Sequence, residues 1–250
     1  METYRAVAVN TASEAENKIH DDSVAARYGF RAGLVPGVNV YGVLTAPAVM
    51  HFGPVWLSRG WMKIRFRQPF FEGEEIRVEP ALTDQGTLRL DAERAVAEAG
   101  MRPPGAAPEP FSSHPLPAER PLISAGLLGP GFPLGHFQPG LAAAQQRLLA
   151  ALKDPLPFYA ESAHPAVLLS FANEILVKNF IMPAWIHTES EVFHYEIVPI
   201  HNPVTVGGRI VDVYHRKGRE MLKAEVFVVN AEGRVVQSAL HSAIWKLDPR

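Results

Sequence analysis

The chain has 250 residues, 47% hydrophobic and 20% charged, with a formal net charge of −2. This balance fits one large globular domain or two ordinary ones and gives no global reason to expect nucleic acid or an anionic membrane as partner. The absence of cysteine excludes disulfides and thiolate metal sites.

The opening METYRAVAVN lacks the basic-then-apolar pattern of a secretory signal, and no run is apolar enough to span a bilayer. A soluble cytoplasmic protein is the expectation. Residues 3–10 alternate weakly and predict a first strand. Ser13 and Glu16 have capping-box spacing, but the polar stretch 11–16 leaves little room for a helix. Asp22 or Ser23 is the expected N-cap of a short helix stopped by Tyr28-Gly29. Residues 37–51 read as a long helix, apolar nearly all round and hence buried, with Pro47 expected to kink or shorten it.

Strand patterns follow at 61–68, 75–81 and 87–97, separated by turns at 69–73 and Asp84-Gln85-Gly86. Residues 98–121 hold seven prolines and read as an extended, poorly ordered linker. Beyond it the pattern predicts a short strand at 132–138, a helix at 140–153, and a mostly apolar helix at 165–180 with Pro165 in its first turn. Strands are expected at 187–197, 204–214, 220–230 and 234–247, with turns at Arg216-Lys217-Gly218 and 230–233.

These landmarks repeat. The buried helix begins at Gly37 and again at Pro165. Hairpin turns fall at Asp84-Gln85-Gly86 and Arg216-Lys217-Gly218, and the turns before them at Glu72-Gly73 and His201-Asn202. A near-constant offset across three landmarks predicts duplication of one unit, a helix wrapped by an antiparallel sheet. The expected boundaries are 1–97 for the first unit, 98–121 for the linker and 122–250 for the second.

A helix wrapped by an antiparallel sheet, doubled in one chain, resembles the α+β double hotdog fold. The stretch 17–41, NKIHDDSVAARYGFRAGLVPGVNVY, resembles the MaoC-like dehydratases, or (R)-specific enoyl-CoA hydratases. Asn17, Ile19 and His20 match that family's signature, and Asp22 matches the acidic cap after it. Gly29-Phe30 and Gly33-Leu34-Val35-Pro36-Gly37 match the turn into the hotdog helix. Three positions depart. The family's catalytic Asp position, five before the histidine, is Ala15; the proline before Ile19 is Lys18; and Pro36 precedes the helix glycine.

The resemblance implies addition of water to a 2-enoyl thioester, or its reversal, with acyl-CoA as the expected substrate and no cofactor. His20 would be the acid/base and the Gly37 N–H, at a helix N-terminus, the donor to the thioester oxygen. Glu16 or Glu14 would replace the missing carboxylate, with Asp21 and Asp22 as further candidates. Asn17, Val35, Pro36 and Tyr41 would contact substrate. A hotdog thioesterase and a non-catalytic acyl-thioester-binding protein are the alternatives.

The second unit reads as a degenerate support. His164-Pro165 stands where Pro36-Gly37 stands in the first, and proline has no N–H to donate. His187 and His194 could reach the groove between the units, but nothing in the sequence requires it. The basic turn Arg216-Lys217 with Arg219 reads as a solvated tip, with CoA phosphates as the alternative partner. No histidine has helical metal-ligand spacing, so no metal is expected. A monomeric pseudo-dimer and a homodimer both fit.

Overall fold

The computed structural model describes residues 1–249. Ten strands form one antiparallel sheet, in the order β1 (Tyr4–Val7), β3 (Glu75–Leu82), β4 (Leu88–Asp91), β5 (Ala95–Met101), β2 (Gly60–Phe66), β7 (Ile186–His194), β10 (Val235–Lys246), β9 (Arg219–Asn230), β8 (Val204–Arg216), β6 (Pro133–Phe137). The order is a palindrome of the repeat. β1 to β5 form one half, β6 to β10 form the other, and equivalent strands lie equally far from the centre. At that centre β2 pairs antiparallel with β7, Lys63 opposite Glu191 and Arg65 opposite Glu189. The expected duplication is therefore built as one continuous sheet.

The helices are α1 (Asp22–Arg27), α2 (Gly37–Phe52), α3 (Trp56–Arg59), α4 (Leu141–Leu152) and α5 (Pro165–Asn179). Every residue of α2 from Val38 to Val49 is buried, as a sequence apolar nearly all round requires, and its two polar side chains, Asn39 and Thr45, bond the Val9 and Gly42 carbonyls. Pro47 neither ends nor shortens this helix, contrary to expectation. The Val43 carbonyl simply lacks its intrahelical donor. α2 packs tightly against the second half. A Cβ on Gly42 would stand 2.5 Å from Leu152 Cδ1 of α4 and 3.2 Å from Ala166 Cβ of α5. The N-cap of α1 is Asp21, whose carboxylate takes the Val24 N–H at 3.0 Å, rather than Asp22 or Ser23. Asp22 instead accepts from the Gly33 N–H at 2.7 Å.

Two boundaries shift. The strand expected over 87–97 is broken between β4 and β5, where Glu93 takes a φ of 58°. β5 then runs to Met101, into the stretch assigned to the linker, because its partner β2 continues to Gly60. Nor is the proline-rich segment loose. Phe111 stacks on Phe227 at 4.5 Å, with the Arg209 guanidinium over its ring. The His114 carbonyl accepts from the His136 N–H at 2.9 Å, and Arg120 pairs with Glu16. The segment thus covers the outer face of β9 and the edge strand β6, where unpaired backbone would otherwise be exposed.

Candidate active site

Between β1 and α2 the chain forms a tight loop that carries His20. Asn17 caps a 3-10 turn, Lys18–His20, accepting from the Ile19 N–H. Its amide also grips the second half, donating to the Trp185 carbonyl at 3.0 Å and accepting from the Trp185 N–H at 3.3 Å. Asn10 holds the His20 carbonyl at 2.8 Å. Gly33 passes so close that a Cβ there would lie 2.1 Å from the His20 carbonyl oxygen. Gly33→Ala is therefore expected to cost about 1–3 kcal/mol, the penalty of overpacking a tight site, and to displace His20. A thermal melt alongside a turnover assay checks both; wild-type values in each would remove Gly33 from the account.

The His20 Nδ1 lies 2.6 Å from the Leu34 carbonyl oxygen. A carbonyl only accepts, so Nδ1 carries the proton and Nε2 of the neutral ring presents a lone pair. That Nε2 is 3.5 Å from the Asn17 amide nitrogen. Burial lowers the His20 pKa, with the bond to Leu34 opposing, so the imidazole is a neutral base at physiological pH.

His20 faces a cavity of about 220 Å³ lined by Asn17, Val35, Pro36 and Gly37 of the first half and by Asn173, Trp185 and His187 of the second. Gly37 opens α2, and its cap residue Pro36 offers no side-chain acceptor; the Pro36 carbonyl takes the Asn39 N–H at 2.9 Å, which leaves the Gly37 and Val38 N–H groups for a ligand. A Cβ on Gly37 would meet His187 Nδ1 at 2.8 Å and Phe66 at 3.0 Å. A second cavity of about 280 Å³ shares Asn17, His20, Pro36, Asn173 and Trp185 with the first. The imidazole therefore stands where the two meet. A larger open groove of about 710 Å³ crosses the outer sheet face among Lys63, Arg65, Glu189 and Glu191 and includes neither His20 nor Gly37.

The structure thus brings together His20, Asn17, Gly37, Val35 and Pro36. It does not bring Tyr41, which is wholly buried in the core with its hydroxyl 3.3 Å from His194 Nε2. Packing of α2 against the sheet turns that position inward. Glu14 is exposed and lines neither cavity. Glu16 and Ala15 line the second cavity, but the Glu16 carboxylate is held by Arg120 at 2.8 Å. Asp21 and Asp22 are occupied as cap and brace. The two ring contacts of His20 go to an amide and a carbonyl, not to a carboxylate.

The second half closes its own equivalent position. Pro165 is the first residue of α5, and His164 caps that helix through Nδ1 to the Ala166 N–H at 3.0 Å. In chain order α4 stands between β6 and α5, as the His20 loop stands between β1 and α2. The basic residues Arg216, Lys217 and Arg219 line neither cavity. Sequence reasoning missed Phe66, Asn173 and Trp185; Phe66 and Asn173 carried only their membership in a strand and a helix pattern, and Trp185 lay between two patterns.

No protein-family profile and no curated protein matches the sequence. Solved structures do match. A MaoC-like dehydratase superposes with a TM-score of 0.64 at 13% identity, over 98% of both chains. A conserved hypothetical protein from Mycobacterium tuberculosis, described as a double hotdog fold, gives 0.66 at 14% identity, over 97% of this chain and 95% of that one. The dehydratase domain of a mycocerosic acid synthase-like PKS gives 0.52 at 15% identity, over 98% and 90%. Palindromic sheet, paired central helices and these superpositions together identify the chain as a double hotdog protein, similar in fold to MaoC-like dehydratases.

Proposed function

We propose that the protein is a hydro-lyase acting on an enoyl or 3-hydroxyacyl thioester, with acyl-CoA as the first substrate to test. One observation carries the reading: a neutral imidazole and a glycine-opened helix N-terminus face the same seam cavity. In the hydration direction, the His20 Nε2 lone pair takes a proton from water as its oxygen bonds to C3. The C2=C3 electrons move toward the thioester, whose oxygen becomes an enolate. The Gly37 N–H and the positive end of α2 stabilise that oxygen. The imidazolium then returns its proton to C2, so one water is added and the imidazole is regenerated. Arg67 on the rim of the first cavity, or Arg147 on the second, would meet the phosphates of the carrier arm.

Ala15 favours a second reading, thioester binding without turnover. The test is loss of the conjugated enoyl-thioester absorbance with trans-2-enoyl-CoA of short, medium and long chain. Signal loss without free thiol supports hydration. Release of free thiol points to a thioesterase, and saturable binding with no signal loss moves the binding reading forward. Glu16→Gln is expected to change the rate less than about fivefold, because an exposed ion pair such as Glu16–Arg120 is worth about 0–1 kcal/mol. A loss of a hundredfold would make Glu16 the working carboxylate.

A further inference from the structure

His187 comes from the half whose own helix N-terminus is closed, yet it lies in the wall of the His20 cavity. Its exposure is only 7%, and its Nδ1 is buried with no hydrogen-bond partner among the described residues. A buried polar atom left unpaired is costly and calls for a reason. The geometry is specific. In β7 the buried residues run His187, Ser190, Val192, His194, so the alternation slips by one between 187 and 190. The register against β10 slips at the same point, Glu189 facing Ser242 but His187 facing Ala243. Thr188 is the extra residue, and its hydroxyl bonds the Ser242 carbonyl at 3.1 Å. Without this bulge His187 and Ser190 would point to opposite faces. With it both point inward, the re-aiming that bulges perform.

The inward ring then meets Gly37, whose missing Cβ leaves room for Nδ1, and packs edge-on against Phe66 at 4.8 Å. On its other side Nε2 lies 2.8 Å from Ser190 Oγ, which lies 3.0 Å from Nδ1 of buried His241. We infer that His187 Nδ1–H is a second donor to the substrate's thioester oxygen, beside the Gly37 N–H. This rests on the reading of the cavity as a thioester site.

The Ser190 hydroxyl has one proton, and this gives the chain two neutral arrangements. If Ser190 donates to His241, His187 donates through Nε2, and its Nδ1 is a bare lone pair. If Ser190 donates to His187, Nδ1 of His187 carries the proton, and His241 donates to Ser190. Each arrangement leaves one buried N–H and one buried lone pair unsatisfied. An oxygen acceptor beside Gly37 breaks the tie, because only the second arrangement supplies it with a proton. Ligand binding thus sets the tautomer through a relay of neutral groups.

The test uses butyryl-CoA and S-butyl-CoA, a thioether that lacks the carbonyl oxygen. Wild-type protein should bind the thioester more tightly. His187→Phe should reduce that preference roughly five- to tenfold, the value of one hydrogen bond, with thioether affinity unchanged. His187→Gln, which keeps an N–H, should retain most of the preference, and so should His20→Ala. Nitrogen NMR of wild-type protein labelled at histidine needs no variant to fold. The His187 Nδ1 signal should be that of a protonated nitrogen with the thioester and not with the thioether. An Nε2–H tautomer in the thioester complex, equal wild-type affinities for the two compounds, or an unchanged preference in His187→Phe overturns the inference, even if hydration proceeds. A His187-dependent preference without turnover overturns the hydro-lyase reading and supports this one.

Discussion

His20→Ala is expected to lower kcat/KM for enoyl-CoA hydration by about 10²–10⁴-fold, the usual contribution of a positioned acid/base. The loss should fall mainly on kcat, because every cavity wall except His20 itself is unchanged. The direction follows from the protonation state. Nε2 works as a base only when unprotonated, and burial holds the His20 pKa below its ordinary value. The wild-type rate should therefore stay level through neutrality and fall only as pH drops below the ordinary histidine range. A pH–rate profile with an acid limb above pH 7 would contradict the assignment. Full activity in the alanine variant would remove His20 from the mechanism. The variant also leaves the Leu34 carbonyl without its donor, a cost of about 1–3 kcal/mol. Thermal stability should therefore be measured alongside activity.

Acidification should destabilise the fold strongly well before the carboxylates titrate. His164, His187, His194 and His241 are all buried, and burial lowers the pKa of each. His194, further disfavoured by the Arg102 charge, and His241 are pushed to about 3. Each ring stays neutral in the folded protein while the unfolded chain takes up protons below about pH 6.5. Stability is therefore complete above that value and is lost as pH falls toward the folded pKa. Between pH 6.5 and pH 5, His194 and His241 should each remove about 2 kcal/mol. Against a typical total of about 5–15 kcal/mol this is a large share. The thermal midpoint at pH 5 should lie roughly 8–16 °C below that at pH 7, given about 2–4 °C per kcal/mol for a chain of this size. A midpoint flat between those pH values would mean that the imidazoles take up protons in the folded state.

The fold was legible because its signals are periodic and repeated. α2 and α5 announce themselves as long apolar runs, and the hairpin at Lys217-Gly218, where both residues take positive φ, sits where the sequence places a turn. What escaped were local choices decided by tertiary contact. Asp21 rather than Asp22 became the cap because Asp22 was needed by Gly33. β5 reached Met101 because β2 offered it a partner. In the site, the proximity of His20 and Gly37 was readable because both lie within the one stretch 17–41. The orientation of Tyr41 was not, since only packing decides which way a uniformly apolar helix faces. His187 was hardest to read: its direction depends on a bulge, and nothing in a strand's alternation marks where the register slips.

The β2–β7 seam has a consequence for behaviour in dilute solution. The His20 cavity needs walls from both halves, and those halves belong to one chain joined through a single sheet. A comparable site shared between two separate chains would empty as its concentration fell below the dissociation constant. Here the second wall is always present at the effective concentration of a tethered partner. Any turnover or ligand binding at this site should therefore hold constant per molecule across protein dilution as far as this seam is concerned.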